Sequence, residues 1–321
     1  PEVTVGIPTV LGGDSVAPPT PTAATSGRRL WLAKWMTGPG SPLLARVMVN
    51  RIWQHHFGRG IVATPNDFGT HGDPPTHPEL LEYLANEFAH PAAGSEDAAW
   101  RIKRLHKLII LSSTYQEAAA HLANEADPED RLLAHWHTHR LEAEAIRDSI
   151  LAASGKLNLA VGGPSVYPPL SQKVVGDSAG LDWGNSDERQ ASRRSVYVFV
   201  KRSIALPELE VMGLADSAGS CDQRAVATTA LQSLMLLNSK FVWQQAEAFS
   251  QRVQKEAGEK PEDRVRAAFI IALCREPRLE EFEHSLQFLK TRESERTPGG
   301  PSSLAQLCLV LLNTNEFVYS N

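Results

Sequence analysis

The sequence predicts a mainly α-helical protein, a bundle-like array of helices carrying one small β element near residues 194–200. Three observations predict it. Apolar residues recur at helical spacing, as in Leu80, Leu81, Leu84 and Phe88 or Trp100, Leu105, Leu108 and Ile109, which gathers them on one helix face. Helix-opening prolines (Pro42, Pro78, Pro261) and helix-closing glycines (Gly58, Gly155) flank these runs, as helix termini require. Ser195-Val196-Tyr197-Val198-Phe199-Val200, combining β-branched and aromatic residues, is the best strand candidate in the chain.

Up to about Ser26 the chain is Pro, Gly, Thr, Ala and Ser without periodicity, so residues 1–26 read as an extended arm or linker. Ser26 is positioned to cap a helix over Arg28–Met36, and Ser41-Pro42 to open a second running to about His56. Helices are then expected over Glu79–Phe88 and Trp100–Leu111, the latter with a basic face of Arg101, Lys103, Arg104 and Lys107, and one or two more between Asp130 and Ala153. Gly162-Gly163-Pro164, Pro168-Pro169 and the Gly/Asp/Ser stretch from 176 to 192 carry little helical pattern. The segment 156–192 therefore reads as loop-rich, joining two lobes, 27–155 and 193–321, of one mostly helical domain. Helices return at Ala230–Leu237, Phe241–Val253, Pro261–Cys274, Leu279–Lys290 and Ser303–Leu312. Three apolar helices, ending at Leu111, Leu237 and Leu312, are each followed by Asn or Ser, then Ser or Thr, then an aromatic; a left-handed Asn is expected to close them.

Composition excludes several functions. With 321 residues, 42% of them hydrophobic, the chain can bury one large core or two modest ones. A net charge of −5 supplies no field to attract nucleic acid. No run approaches the ~18–20 apolar residues of a membrane span. The three cysteines are too far apart for a disulfide framework or a zinc knuckle; Cys274 and Cys308 read as core residues, and Cys221 lies in a polar loop beside Arg224. Pro1 opens the chain without an initiator Met or a signal core, which reads as a piece of something longer.

The chemistry-bearing residues fall in three groups. On the helix 42–56, Asn50, Arg51 and His55 share one side while Trp53 lies on the apolar stripe. With the N–H groups of Gly58-Arg59-Gly60 and with Asp67 beyond, they could form an anion or sugar pocket, or simply a glycine-closed helix end. The loop His71-Gly72-Asp73-Pro74-Pro75-Thr76-His77-Pro78-Glu79 holds residues of metal-ligand type, but His77 and Glu79 equally suit a helix entry, so no metal is assigned. Arg140, Glu144 and Asp148 are spaced four apart with Arg147 between, which suits an ion network or, alternatively, paired carboxylates for acid/base work. No nucleophile elbow, phosphate loop, dinucleotide fingerprint, H-E-x-x-H or C-x-x-C-H is present.

The chain resembles the planctomycete-type secreted-protein domain catalogued as domain of unknown function 1553, from about Arg28 to Tyr319. The resemblance rests on Ala45 to Gly60, His77-Pro78-Glu79-Leu80-Leu81, Arg104-Leu105-His106, Arg140-Leu141 with Glu144 and Arg147-Asp148, and Gly162-Gly163-Pro164-Ser165-Val166. Arg194-Ser195-Val196-Tyr197, Gln232 with Leu237-Asn238, Arg275-Glu276-Pro277 and Asn313-Thr314-Asn315-Glu316-Phe317 complete it. It implies an extracytoplasmic setting at the C-terminal end of a large exported protein, often behind a c-type cytochrome domain. Any haem would then belong to an N-terminal portion, with no cofactor in this chain. The resemblance supplies no catalytic residues. The expectation is an accessory or binding module whose partner is a glycan or a neighbouring redox domain of the same polypeptide. The alternative is a hydrolase or redox enzyme acting on extracellular polymer through Glu144 and Asp148 or through a metal near His71, Asp73 and His77.

Overall fold

A computed structural model describes residues 5–11, 17, 19–38, 41–91, 99–119, 127, 130–170, 183–202, 204–217, 219–224, 227–295 and 299–320. Parts of the expected N-terminal arm and of the 176–192 stretch lie outside the described residues. Thirteen α-helices and one two-stranded sheet occur among them, so the mainly α expectation holds. Contacts divide the chain into two compact units, Pro1–His137 and Thr138–Asn321.

The first unit contains α1 (Arg28–Met36), α2 (Pro42–Phe57), α3 (Pro78–Ala89) and α4 (Ile102–Ile110). Its core sets Ala45, Val49, Ile52, Trp53 and Phe57 of α2 against Leu81, Leu84, Ala85 and Phe88 of α3 and Leu105 and Ile109 of α4. Of the residues expected on the apolar faces of α3 and α4, Leu81, Leu84, Phe88, Leu105 and Ile109 are buried, whereas Leu108 is exposed. Each large apolar side chain buried in this way contributes about 1.5–3 kcal/mol. Helix α1 buries no residue; it starts after Gly27 in the left-handed conformation, with no side-chain cap, so Ser26 does not cap it. The segment after Asp130 is not helical. Asp130 and Leu133 have φ of 44° and 58°, and the Asp130 carboxylate accepts from the Ala134 N–H at 2.8 Å. That local bond replaces the helical ladder, and the next helix begins only at Ala143.

In the second unit, strand β1 (His139–Arg140) pairs antiparallel with β2 (Tyr319–Ser320). Between them run α5 (Ala143–Ala153), α6 (Glu188–Ala191), α7 (Pro207–Val211), α8 (Ala230–Asn238), α9 (Lys240–Ala257), α10 (Pro261–Leu273), α11 (Leu279–Ser294), α12 (Ser303–Leu312) and α13 (Asn315–Val318). Helix α12 is apolar nearly all round and is correspondingly central, packing on α9, α10 and α11. Helix α5, assigned to the first lobe by sequence, packs on α7 and α9 and so belongs to this unit.

Three local expectations are corrected. Residues 195–197 form a 3-10 turn in place of a strand, with isolated bridges Val166–Val198 and Lys201–Ile204. The cause is chemical: side chains of α5 occupy the backbone groups at 193–195 that a neighbouring strand would need, as detailed below. Cys274 is exposed and caps α10 in the left-handed conformation, whereas Cys308 is fully buried, which pushes its thiol pKa up. The Asn closures work through side chains and not through a left-handed backbone. Asn238 Nδ2 donates to the Leu234 carbonyl at 2.9 Å and Asn313 Nδ2 to that of Leu309 at 2.8 Å, while Asn313 itself has φ of −102°. Among the described residues no helix is long and apolar enough to cross a membrane.

Candidate functional site

In the first unit the motif residues cluster at the C-terminal end of α2, which stops at Gly58 (φ 76°). Asn50 is fully buried: its Nδ2 donates to the Val62 carbonyl at 3.0 Å and its Oδ1 accepts from the Val62 N–H at 2.8 Å. Both ends of the amide thus hold the returning chain. A Cβ on Gly60 would lie 2.5 Å from the Val62 carbonyl oxygen and 2.7–2.8 Å from that amide, so the sequence places glycine where the backbone passes Asn50. Trp53 is buried and stacks on Phe57 at 4.2 Å. Arg51 Nη2 donates to Asn66 Oδ1 at 3.0 Å on the surface, and His55 is exposed on the last turn. Asp67 closes its own loop, its Oδ1 accepting from the Gly69 N–H at 2.8 Å.

His56 faces inward, with Nε2 2.7 Å from His106 Nδ1 and its ring edge-on to Tyr115. Burial, then His106 and His55, hold the His56 pKa below the usual histidine range. Asn50, Trp53 and His56 therefore form the inner wall of a helix end, and Arg51 and His55 its outer rim. His77 serves as the N-cap position of α3, its Nδ1 3.0 Å from Thr76 Oγ1, while His71 and Glu79 are exposed. Among the described residues the side chains of this loop form no ligand triad. The grouping of that kind is Asp130, His135 and His137, whose ligand atoms all lie within 4.8 Å of one another. Sequence reading missed it by treating Asp130 as the start of a helix. The available signal was the spacing D-x4-H-x-H in a stretch containing Pro128 and no apolar period.

In the second unit the expected row of Arg140, Glu144 and Asp148 does not form, because Arg140 lies on β1 and only the other two on α5. Each turns to a different partner. Arg140 is buried and donates through Nη1 to the Met212 carbonyl at 3.0 Å. Glu144 is gripped by both terminal nitrogens of Arg224, the longer bond being 3.0 Å, and Glu142 lies 3.7 Å from the same guanidinium. The Glu144 hydrogen bond raises the Arg224 pKa. Arg147 is 4% exposed. Its Nη1 donates to the Arg193 carbonyl and to Ser195 Oγ, both at 3.1 Å, and its Nη2 to the Ala191 carbonyl at 2.7 Å. Asp148 Oδ1 accepts from the Ser195 N–H and hydroxyl at 2.7 Å each. Burial pulls the Arg147 pKa down, opposed by Asp148 and Glu208, yet a guanidinium remains charged.

Two further arginines, neither of them among the candidate site residues read from sequence, complete the pattern. Arg193 is buried and donates to the carbonyls of Pro164 (3.2 Å), Ala160 (3.0 Å) and Gly162 while stacking 3.8 Å over Tyr197. Arg275 holds Glu281 and Glu316 with paired bonds of 2.6–2.8 Å and also reaches the Glu276 carbonyl. Arg275 holds the Glu281 carboxyl down to about 2, with help from the Arg278 N–H. The depression over Arg147, lined by Ile146, Glu208, Met212 and Phe241, has a cavity volume of only about 10 Å³, far below the ~300–1,000 Å³ usual for ligand pockets. Chemically, the gathered groups can hold backbone and carboxylates; Glu144 and Asp148 are both committed to internal donors.

A family model described as "Protein of unknown function (DUF1553)" matches residues 28–289. No curated protein and no solved structure matches the chain.

Proposed function

The chain belongs to the DUF1553 family, and on that footing we propose that it is a non-catalytic accessory module of an exported multidomain protein, binding a protein domain. The observation that carries this reading is the occupation of the motif side chains. Asn50, Arg140, Glu144, Arg147 and Asp148 all bond to their own chain. A general acid or base must instead reach a substrate proton, directly or through one water.

The choice of a protein partner over a glycan rests on the surface. All seven tryptophans are buried or half-buried, so no indole is offered as an open sugar platform. Helix α8 instead exposes Leu231, Leu234 and Leu237 along one side, at 60%, 55% and 45%. Leucines grouped in this way mark contact surfaces more often than isolated ones do. The extracytoplasmic location and the neighbouring redox domain as partner are part of the same proposal, supported by the resemblance in sequence.

Calorimetric titration tests it, with the c-type cytochrome domain of a relative's architecture as one ligand and soluble polysaccharide fragments as the others. The expected result is saturable binding of the protein domain, weakened at least tenfold by Leu231→Asp with Leu234→Asp, and no binding of sugar. Saturable sugar binding, or protein binding indifferent to the leucines, overturns the proposal.

A further inference from the structure

We infer that Asp130, His135 and His137 form a binding site for a divalent transition metal of the zinc class. The donor set is one carboxylate and two imidazoles, the borderline ligands such ions take. His135 Nδ1 lies 3.4 Å from Asp130 Oδ1, and His137 Nε2 3.3 Å from Oδ2. Two donors at ~2.0–2.1 Å from a tetrahedral zinc ion are separated by about 3.3 Å, so both imidazoles already stand at the spacing of co-ligands of this carboxylate.

A second observation points independently to a ligand. Asp130 is 4% exposed, and its Oδ2 has no hydrogen-bond partner. Its other oxygen accepts from the Ala134 N–H at 2.8 Å. A buried carboxylate oxygen without a donor is costly and calls for a cation or an ordered water. Oδ2 is directed at His137, whose side chain is 44% exposed and opens the cluster to solvent. Between the histidines, Trp136 is anchored by ring contacts to Phe57 and Tyr115 at 5.6 and 5.0 Å and by its backbone N–H to the Ala118 carbonyl. The two imidazoles are thus carried by a segment fixed to the core of the first unit. Three protein donors leave a fourth tetrahedral position for water.

The site stands apart from the binding-module reading and can fail without it. Equilibrium dialysis of the full chain against Zn²⁺, with elemental analysis, and the visible spectrum of the Co²⁺ form test it. The expected result is one equivalent of metal and a four-coordinate Co²⁺ spectrum. Affinity should fall at least ~10-fold in His137→Ala and in His135→Ala, and remain unchanged in His71→Ala with His77→Ala. Because the His137 side chain is 44% exposed, its variant should keep the native circular dichroism. Absence of a stoichiometric equivalent, or full affinity in His137→Ala, overturns the inference.

Discussion

Arg147, Arg193 and Arg275 do similar work in different surroundings: one guanidinium gathers acceptors from segments distant in sequence. Arg193 reaches carbonyls about thirty residues away, and Arg275 links Glu281 of α11 to Glu316 of α13. The planar fork of arginine suits this task, because several donors are fixed in one plane and less freedom is lost per bond. The Arg275 cluster carries a pH prediction. Glu281 has a folded-state pKa of about 2 against an ordinary 4.5, so its contribution is complete above pH 4.5 and is lost as pH falls toward 2. Thermal unfolding between pH 6 and pH 2 should show a steeper acid loss in the native chain than in Glu281→Gln; equal slopes contradict the assignment. The arginine roles were only partly legible in the sequence. Arg147 and Asp148 stand out by charge, but the acceptors of Arg193 are backbone carbonyls, which leave no mark in a residue pattern.

At the scale of elements, helices were legible and their ends less so. Periodicity is a local property, and α2, α3, α10 and α12 lie within a few residues of their predicted bounds. The strand at 195–200 failed because its fate depends on α5: Ser195 gives its N–H to Asp148, and Arg147 takes the Arg193 carbonyl. Tertiary bonds there override a β-rich composition. The stretch from Asp130 failed for a local reason, the carboxylate bonding its own backbone. The α2 end supplies a sharper prediction. Adding a methyl at Gly60 must displace either the Val62 carbonyl or the Asn50 amide. Gly60→Ala should therefore destabilise the chain by ~1–3 kcal/mol, the range for overpacking, in chemical denaturation. Wild-type stability in that variant contradicts the proposed fit of glycine against asparagine.

Across the whole molecule, the family match spans residues 28–289 and therefore parts of both compact units. Each unit has its own apolar core, and the polar motifs sit at that core's edges: Asn50 beside Val49 and Trp53, Arg147 beside Ile146 and Ile150. This placement gives sequence blocks rich in Arg, Asn, Gly and Trp a part in holding the fold together. The mainly α character was readable from the apolar period together with the helix-opening prolines and helix-closing glycines. The grouping of polar residues was not, because it depends on loops whose course is set by the very bonds in question. The most direct measurement is urea unfolding of Arg147→Met against the native chain. The substitution keeps side-chain bulk but strands the carbonyls of Ala191 and Arg193 and leaves Asp148 without its buried partner. If these motif residues are internal clasps, stability falls by ~3–5 kcal/mol; if Arg147→Met unfolds at the native midpoint, the motif residues are serving something other than the fold.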